Sequence, residues 1–415
     1  MTALRVEGGK PLRGRLRVPG DKSISHRALM LAGLAHGVSR VRGLSDGADV
    51  VATKRAMEAL GVEVDGGEIR GGALHEAAGA IDVGNSGTTM RLLAGLCAAF
   101  PWRTVLRGDE SVSRRPMDRV TEPLRLMGAR VEGRGGGRYP PLDVRGGDLH
   151  GIDYQSPVAS AQVKSAILLA GLGAEGETVV HEAVRTRAHT EELLRLCGAE
   201  IAVDDDGHTV RVRRSSLRPF VLDVPGDPSQ AAFWSVAACI VPGSEVTVED
   251  VYLGPARDQF LGVLERMGAD LRVDAAAGRI RTRHSALRAT AVAGAEVPGL
   301  IDEIPVLAVA AACARGRTEF RDAAELAVKE SDRVAAMVEG LRALGAVAEA
   351  LPDGLAVTGP CQLEGARVDA KGDHRVAMAL AVAGMAAEGE TVVDGWESVA
   401  TSYPTFEEDL ARCRS

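Results

Sequence analysis

The sequence predicts an α/β protein of two similar domains, each holding three repeat units packed around buried helices. Three observations lead there. A helix ending in Leu-Gly or its equivalent, then a short strand, a polar Gly-rich turn and another strand, recurs along the chain with marker glycines at Gly61, Gly128, Gly198, Gly268 and Gly345, about 70 residues apart. Near-uniformly apolar helices begin in phase with these markers, close to Ser23, Gly87, Ser160, Ser229, Asp302 and His374. A helix that is apolar on every side belongs inside a domain. The third observation is a long-range echo: Pro19-Gly20-Asp21-Lys22-Ser23 returns as Pro225-Gly226-Asp227-Pro228-Ser229, three units further on.

Each element has a local reason. The marker glycines suit the position just after a helix, where the left-handed conformation closes the last turn. Asp205-Asp206-Gly207 and Pro352-Asp353-Gly354 read as hairpin turns between strands. Six units fill the 415 residues, the sixth stopping early at Leu410-Ala411-Arg412. Residues 21–226 are expected to form the first three-unit domain, and 1–20 with 227–415 the second. The crossovers fall near 20 and 226, where Pro and Gly interrupt regular structure. A solenoid is the competing architecture, but solenoid repeats are shorter and their helices amphipathic.

Composition narrows the function. A net charge of −8 argues against general nucleic-acid binding, so basic clusters must be local pockets. Cysteines 97, 197, 239, 313, 361 and 413 show no CxxC spacing, and reduced thiols fit a cytoplasmic protein. The first ten residues lack the apolar core of a signal peptide, and runs such as Ile304–Ala314 are too short to span a bilayer.

The charged motifs gather at helix starts. Asp21-Lys22-Ser23 opens an apolar helix, with Arg27 one turn beyond Ser23 on the same face. Helix N-termini carry unpaired N–H groups and a partial positive charge, so phosphate or carboxylate is the natural guest. Gly84-Asn85-Ser86-Gly87-Thr88-Thr89-Met90-Arg91 is a Gly-rich turn into a helix, without the lysine of a nucleotide P-loop. Arg114-Arg115-Pro116 lies in a loop before a helix, and Ser160-Ala161-Gln162 at a helix start. Arg185-Thr186-Arg187-Ala188-His189 also reads as a capped surface helix, Asp302 as a plain N-cap, and Lys329-Glu330-Ser331-Asp332-Arg333 as a solvated helix start. Lys371-Gly372-Asp373-His374-Arg375 repeats the cationic theme. Cations at Lys22, Arg27, Arg91 and Arg375 oppose the helix dipole, which points to bound anions as the compensation.

Taken in order, Pro-Gly-Asp-Lys-Ser-Ile-Ser-His-Arg (from Pro19), Gly-Asn-Ser-Gly-Thr (Gly84), Arg-Pro-Met (Arg115), Ala-Ser-Ala-Gln-Val-Lys-Ser-Ala (Ala159), Ile-Asp-Glu-Ile-Pro (Ile301), Lys-Glu-Ser-Asp-Arg (Lys329) and Asp-His-Arg-Val-Ala-Met (Asp373) resemble the 5-enolpyruvylshikimate-3-phosphate synthase family of enolpyruvyl transferases. The resemblance covers essentially the whole chain. It implies the enolpyruvyl transferase fold, two domains each of three βαβαββ units around parallel inner helices. It also implies transfer of the enolpyruvyl group of phosphoenolpyruvate to the 5-hydroxyl of shikimate 3-phosphate, with release of phosphate, by addition and elimination through a tetrahedral ketal. By the same resemblance Asp302 is the base towards the hydroxyl, Glu330 the proton donor to carbon, and Lys22 lies between the substrates. Shikimate 3-phosphate falls to Lys22, Ser23, Arg27 and Ser160, with Arg187, Asp302 and Lys329. Phosphoenolpyruvate falls to Lys22, Gly87 and Arg115, with Gln162, Arg333 and Arg375. The arginine fork matches carboxylate and phosphate geometry. No metal, nucleotide or organic cofactor is implied; the expected protein is a monomer that binds neither nucleic acid nor membrane.

Several positions depart from the family pattern. Ala188 stands where many members have Asp, Ala327 where an Arg is frequent, and Ala161 lacks a hydroxyl. Thr401-Ser402-Tyr403-Pro404 has no lysine where enteric and plant-type enzymes place one, and Leu92 also differs from the plant type. Glyphosate, a phosphonate with a carboxylate, is expected to compete with phosphoenolpyruvate; members with alanine in place of Gly87 tolerate it. Two alternatives are weighed. The sister transferase acting on UDP-N-acetylglucosamine carries a loop cysteine and Lys-Asn where this chain has Arg114-Arg115-Pro116 and Lys22-Ser23. A non-catalytic anion-binding repeat protein has no need of Asp302 and Glu330 beside the cations.

Overall fold

The computed structural model describes residues 2–414. They divide into two compact units: a continuous one, Gly20–Val224, and a discontinuous one holding the chain up to Pro19 and from Pro225 onward. The divide thus falls between Pro19 and Gly20 and between Val224 and Pro225, which puts Pro225 and Gly226 with the discontinuous unit.

The repeat is plainest in the continuous unit. Strand Ile81–Asp82 leads into inner helix Gly87–Ala98, strand Arg103–Arg107, outer helix Asp118–Leu126, and the strands Arg130–Gly133 and Tyr139–Arg145. The first two strands pair in parallel and the last two join antiparallel, giving a βαβαββ unit. Among the described residues there are five four-stranded sheets and one of three strands. All five marker glycines follow an outer helix with positive φ, from +75° at Gly198 to +105° at Gly128, as the helix-stop reading expects.

Inner and outer helices differ as their sequences dictate. Gly87–Ala98 buries every residue except Thr88, and Ile304–Ala312 buries all of its residues. Outer helix Asp118–Leu126 buries one face only, through Val120, Thr121, Pro123 and Leu124. Gly95 shows why a small residue stands mid-helix. A Cβ there would meet the Ala166 carbonyl oxygen at 2.2 Å, so the inner helices Gly87–Ala98 and Ala161–Gly171 touch through their backbones.

Strands from distant parts of the chain complete the sheets. Val221–Asp223 pairs in parallel with Arg40–Arg42 in the continuous unit. In the discontinuous unit Arg13–Arg17 pairs in parallel with Glu245–Glu249, and Ala3–Glu7 closes the sixth sheet against Glu390–Asp394. The last repeat stops before a hairpin of its own, and the N-terminal strand takes the empty edge. The core below it includes Trp234, whose Nε1 donates to Tyr403 Oη at 2.9 Å, and that hydroxyl donates to Asp409 at 2.7 Å. Among the described residues no helix is long and apolar enough to cross a membrane.

Candidate active site

In the continuous unit the candidate residues cluster where inner helices begin. Asp21 caps helix Lys22–Leu34 by accepting from Ile24 N at 2.8 Å. Lys22 Nζ pairs with Asp49 at 3.0 Å. Arg27 is buried, and its guanidinium donates to Thr190 Oγ1 (2.7 Å), Ser165 Oγ (2.6 Å) and the Ser23 carbonyl (2.9 Å). Arg187 reaches Ser23 Oγ at 3.5 Å. His26, fully buried behind them, bonds Thr53 through Nδ1. Burial first, then the charges of Lys22 and Arg27, hold its pKa well below the usual imidazole range, so it is neutral at pH 7.

The next two inner helices supply a second set. Ser86 caps Gly87–Ala98. Arg91 Nη1 donates to Gln162 Oε1 at 2.6 Å, and Gln162 Nε2 donates to Thr88 Oγ1 at 3.0 Å. Arg115, nearly buried, donates to Asn85 and Ser111, each at 3.2 Å. Gly87 lies against these cations: a Cβ there would sit 2.9 Å from Arg115 Nη1 and 3.3 Å from Arg91 Nη1. Gly87, Arg115 and Gln162 are therefore one neighbourhood, joined by Arg91. Ser160 caps its own helix, accepting from Val163 N at 3.5 Å. The Arg185–His189 stretch is no capped surface helix; no side chain caps helix His189–Leu196, and Thr186, His189 and Thr190 are buried.

Beneath this set lies an ion cluster that the motif reading passed over. Lys164, only 1% exposed, pairs with Glu182 at 2.6 Å and Glu191 at 2.7 Å. Thr186 donates its hydroxyl to the other oxygen of Glu182. The cluster fixes the loop carrying Arg187 against the helix carrying Gln162.

The discontinuous unit gathers its candidates around one guanidinium. Arg333, 1% exposed, donates to Asp302 Oδ1 (3.2 Å), Glu330 Oε2 (2.5 Å) and Asp373 Oδ2 (2.8 Å). Burial works against its charge, and the three carboxylates more than offset that, raising its pKa. Asp373 is fully buried and also caps helix His374–Ala386 through Arg375 N at 2.9 Å. Asp302 and Glu330 keep 18% and 17% of their side-chain surface. Asp373 thus anchors the guanidinium, while the two candidate acids stay reachable from solvent. Arg375 donates to the Asp302 carbonyl at 3.2 Å and lies 3.6 Å from its carboxylate. Lys329 turns to Glu325 at 3.1 Å.

Three expectations need correcting. Asp302 is not an N-cap; Glu303 holds that position without a side-chain cap bond, and the Asp302 carboxylate faces Arg333. The Lys329–Arg333 run is not merely solvated, since Arg333 is buried while Asp332 caps the helix. The dipole-opposing cations do not rely on bound anions alone: Asp49 pairs with Lys22, and Asp302 lies beside Arg375. Sequence reasoning also left out Asp49 and Asp373 as partners, and read Arg91 only as a helix-start cation without its bond to Gln162. Asp373 stood inside a quoted motif, so the signal was there, but Asp49 lies in an ordinary outer helix with nothing local to mark it.

The second Pro-Gly-Asp start behaves differently from the first. Asp227 caps helix Pro228–Ile240, and buried Arg257 donates to Asp227 at 2.6 Å and to Ser229 Oγ at 3.0 Å. Glu303 accepts from Ser229 and pairs with Arg257. This start is closed by the chain's own cation.

Residues 6–410 match the family model for EPSP synthase (3-phosphoshikimate 1-carboxyvinyltransferase). The chain belongs to the EPSP synthase family. A relative from Synechococcus sp. (strain JA-3-3Ab), named 3-phosphoshikimate 1-carboxyvinyltransferase, is 50% identical over 99% of this chain and 96% of its own length. One of the same name from Gloeobacter violaceus is also 50% identical, over 99% of both chains. The solved EPSP synthase from Acinetobacter baumannii superposes with a TM-score of 0.85 at 40% identity, covering 99% of this chain and 98% of that one. The enolpyruvyl transferase NikO from Streptomyces tendae shares the fold at 20% identity, with a TM-score of 0.79 over 99% and 97% of the two chains. The enolpyruvyl transferase fold expected from the motifs is the one found. The family match favours the EPSP synthase reading over the sister transferase and over a non-catalytic repeat protein.

Proposed function

We propose that this chain transfers the enolpyruvyl group of phosphoenolpyruvate to the 5-hydroxyl of shikimate 3-phosphate, releasing phosphate. The observation that carries the chemistry is the Arg333 cluster, where one buried guanidinium holds two partly exposed carboxylates, Asp302 and Glu330. The reaction needs one group to take the hydroxyl proton and another to protonate the methylene carbon. Asp302 takes the first role and Glu330 the second. Protonation makes C2 electrophilic, the hydroxyl oxygen adds there, and loss of phosphate with a methyl proton from the ketal restores the enol ether.

The remaining roles are those of anion binding. Lys22 contacts both substrates. Ser23, Arg27, Ser160, Arg187 and Lys329 hold shikimate 3-phosphate. Gly87, Arg115, Gln162, Arg333 and Arg375 hold phosphoenolpyruvate. Arg91 positions Gln162 through the 2.6 Å bond described above. The enzyme calls on no metal or organic cofactor. A cytoplasmic monomer fits the six free thiols, four of them buried, and a complete set of motifs on one chain. The test is release of inorganic phosphate from phosphoenolpyruvate with shikimate 3-phosphate present, absent, or replaced by UDP-N-acetylglucosamine. Release that does not depend on shikimate 3-phosphate overturns the reading.

Two further outcomes are expected. Arg115→Ala and Arg375→Ala should raise the KM for phosphoenolpyruvate by roughly 10–100-fold, the worth of one or two charge-assisted hydrogen bonds. Arg375→Ala should also lower kcat, because that guanidinium touches Asp302. An unchanged KM in both variants removes these arginines from the phosphoenolpyruvate site.

Glyphosate should inhibit competitively with phosphoenolpyruvate, and Gly87→Ala should relieve that inhibition. The added methyl comes within 2.9 Å of the Arg115 guanidinium, which must shift. A longer ligand using the same arginine loses more from that shift than the shorter substrate. Ki for glyphosate is expected to rise at least tenfold (about 1.4 kcal/mol) with a smaller change in KM. Equal Ki values for the two proteins would sink the steric argument.

A further inference from the structure

The six sheets repeat one plan, and exposed arginines beside carboxylates recur on their outer faces. Arg103 with Asp143, Arg213 with Glu177, and Arg367 with Asp394 are examples. The sheet built from Arg13–Arg17, Glu245–Glu249, Arg279–Arg283 and Asp270–Asp274 follows it in its outer rows, where Arg279 lies beside Glu249 and Arg283 beside Glu245 and Asp270. Its middle row places Thr247 between Arg15 and Arg281, with Arg272 beyond Arg281, and holds no acid. The row on one side has Glu245 between Arg13 and Arg283. Glu245 is committed to its own neighbours, accepting from Arg281 Nε at 2.7 Å and Arg283 Nε at 2.9 Å. Among the described residues Arg13, Arg272 and His284 have no side-chain partner, and Arg15 comes no nearer than 3.6 Å to Glu249.

A hollow of about 880 Å³ lies over this face, lined by Arg13, Arg15, Thr247, Arg281 and His284 and by the paired Glu245, among others. Gly243 and Ser244 at its rim follow the C-terminal end of helix Pro228–Ile240, whereas Asp302 and Arg375 sit at helix starts. Neighbours in one row stand about 5 Å apart and successive rows about 7 Å apart. The short Thr247 leaves room between two guanidinium groups. A single phosphate meets one or two of these cations. A chain of two or three phosphates spans Arg15, Arg281 and Arg13 together, with charge-assisted bonds to each.

We propose that this sheet face binds a small oligophosphate, either an inorganic one or the phosphate tail of a nucleoside triphosphate, at a site separate from the Arg333 cluster. The net charge of −8 makes such a local positive field a feature of this face and not of the whole surface.

Calorimetric titration of the full chain with tripolyphosphate and with ATP, at one low ionic strength, tests it. Arg13→Ala/Arg15→Ala should weaken one binding event at least tenfold for both probes and leave kcat and KM unchanged. A second event that survives is expected from the anion-binding helix starts. The control Arg5→Ala/Arg367→Ala removes two exposed arginines from another sheet of the same unit and should bind like wild type. ATP binding tighter than tripolyphosphate assigns the site to a nucleotide, and equal binding to the phosphate chain alone. The proposal fails if wild type binds neither probe, if Arg13→Ala/Arg15→Ala binds like wild type, or if the control loses as much.

Discussion

Glu330→Gln and Asp302→Ala are each expected to lower kcat by about 10²–10⁴-fold, the usual loss on removing a positioned acid or base. Substrate binding should change far less, because the anion-binding cations themselves are all retained. The structure makes Glu330→Gln the cleaner of the two. Arg333 keeps Asp373 and one other carboxylate in either variant, but Asp302→Ala also takes a carboxylate from beside buried Arg375. Glu330→Gln even preserves an oxygen that can accept from the Arg333 guanidinium. Steady-state kinetics together with equilibrium titration of shikimate 3-phosphate separate the two effects. A near-normal kcat in Glu330→Gln means that another group protonates the carbon.

Lys164→Met should destabilise the continuous unit by about 3–5 kcal/mol. Lys164, Glu182 and Glu191 are all nearly inaccessible to water, and the lysine is the cation between two carboxylates 2.6 and 2.7 Å away. Removing it leaves two buried negative charges facing each other. For a unit of this size the loss corresponds to a fall in Tm of roughly 6–20 °C. The triple variant Lys164→Met/Glu182→Gln/Glu191→Gln should recover part of the loss, since replacing every charge avoids the stranded pair. Calorimetric scans of the three proteins decide the matter. A single variant melting within about 2 °C of wild type would show that water reaches the carboxylates and screens them.

The two predictions draw on parts of the molecule that differ in how far they could be read from the chain. Asp302, Glu330 and Arg333 stand in motifs whose residue types already speak of acid–base and anion chemistry. Lys164 stands in a motif too, but its partners Glu182 and Glu191 lie 18 and 27 positions away along the chain. Nothing in Val-Lys-Ser announces that its lysine is a buried ion and not a ligand contact.

What the sequence by itself determined is local. Helix ends at Gly61, Gly128, Gly198, Gly268 and Gly345 follow from positive φ, which glycine adopts at no steric cost. Buried inner helices follow from apolar residues on every side, and the cationic helix starts from residue types within one turn. The tertiary structure decided what depends on distant neighbours. It placed Asp302, Glu330 and Asp373 around a single guanidinium, and sent the N-terminal strand Ala3–Glu7 to the edge that the sixth repeat leaves empty. It also separated two nearly identical Pro-Gly-Asp starts, one pairing Lys22 with Asp49 and the other closed by Arg257. Backbone conformation is set by a residue and its few neighbours. Desolvation and ion pairing are set by whatever the fold brings within a few ångströms, and that is written nowhere in the local sequence.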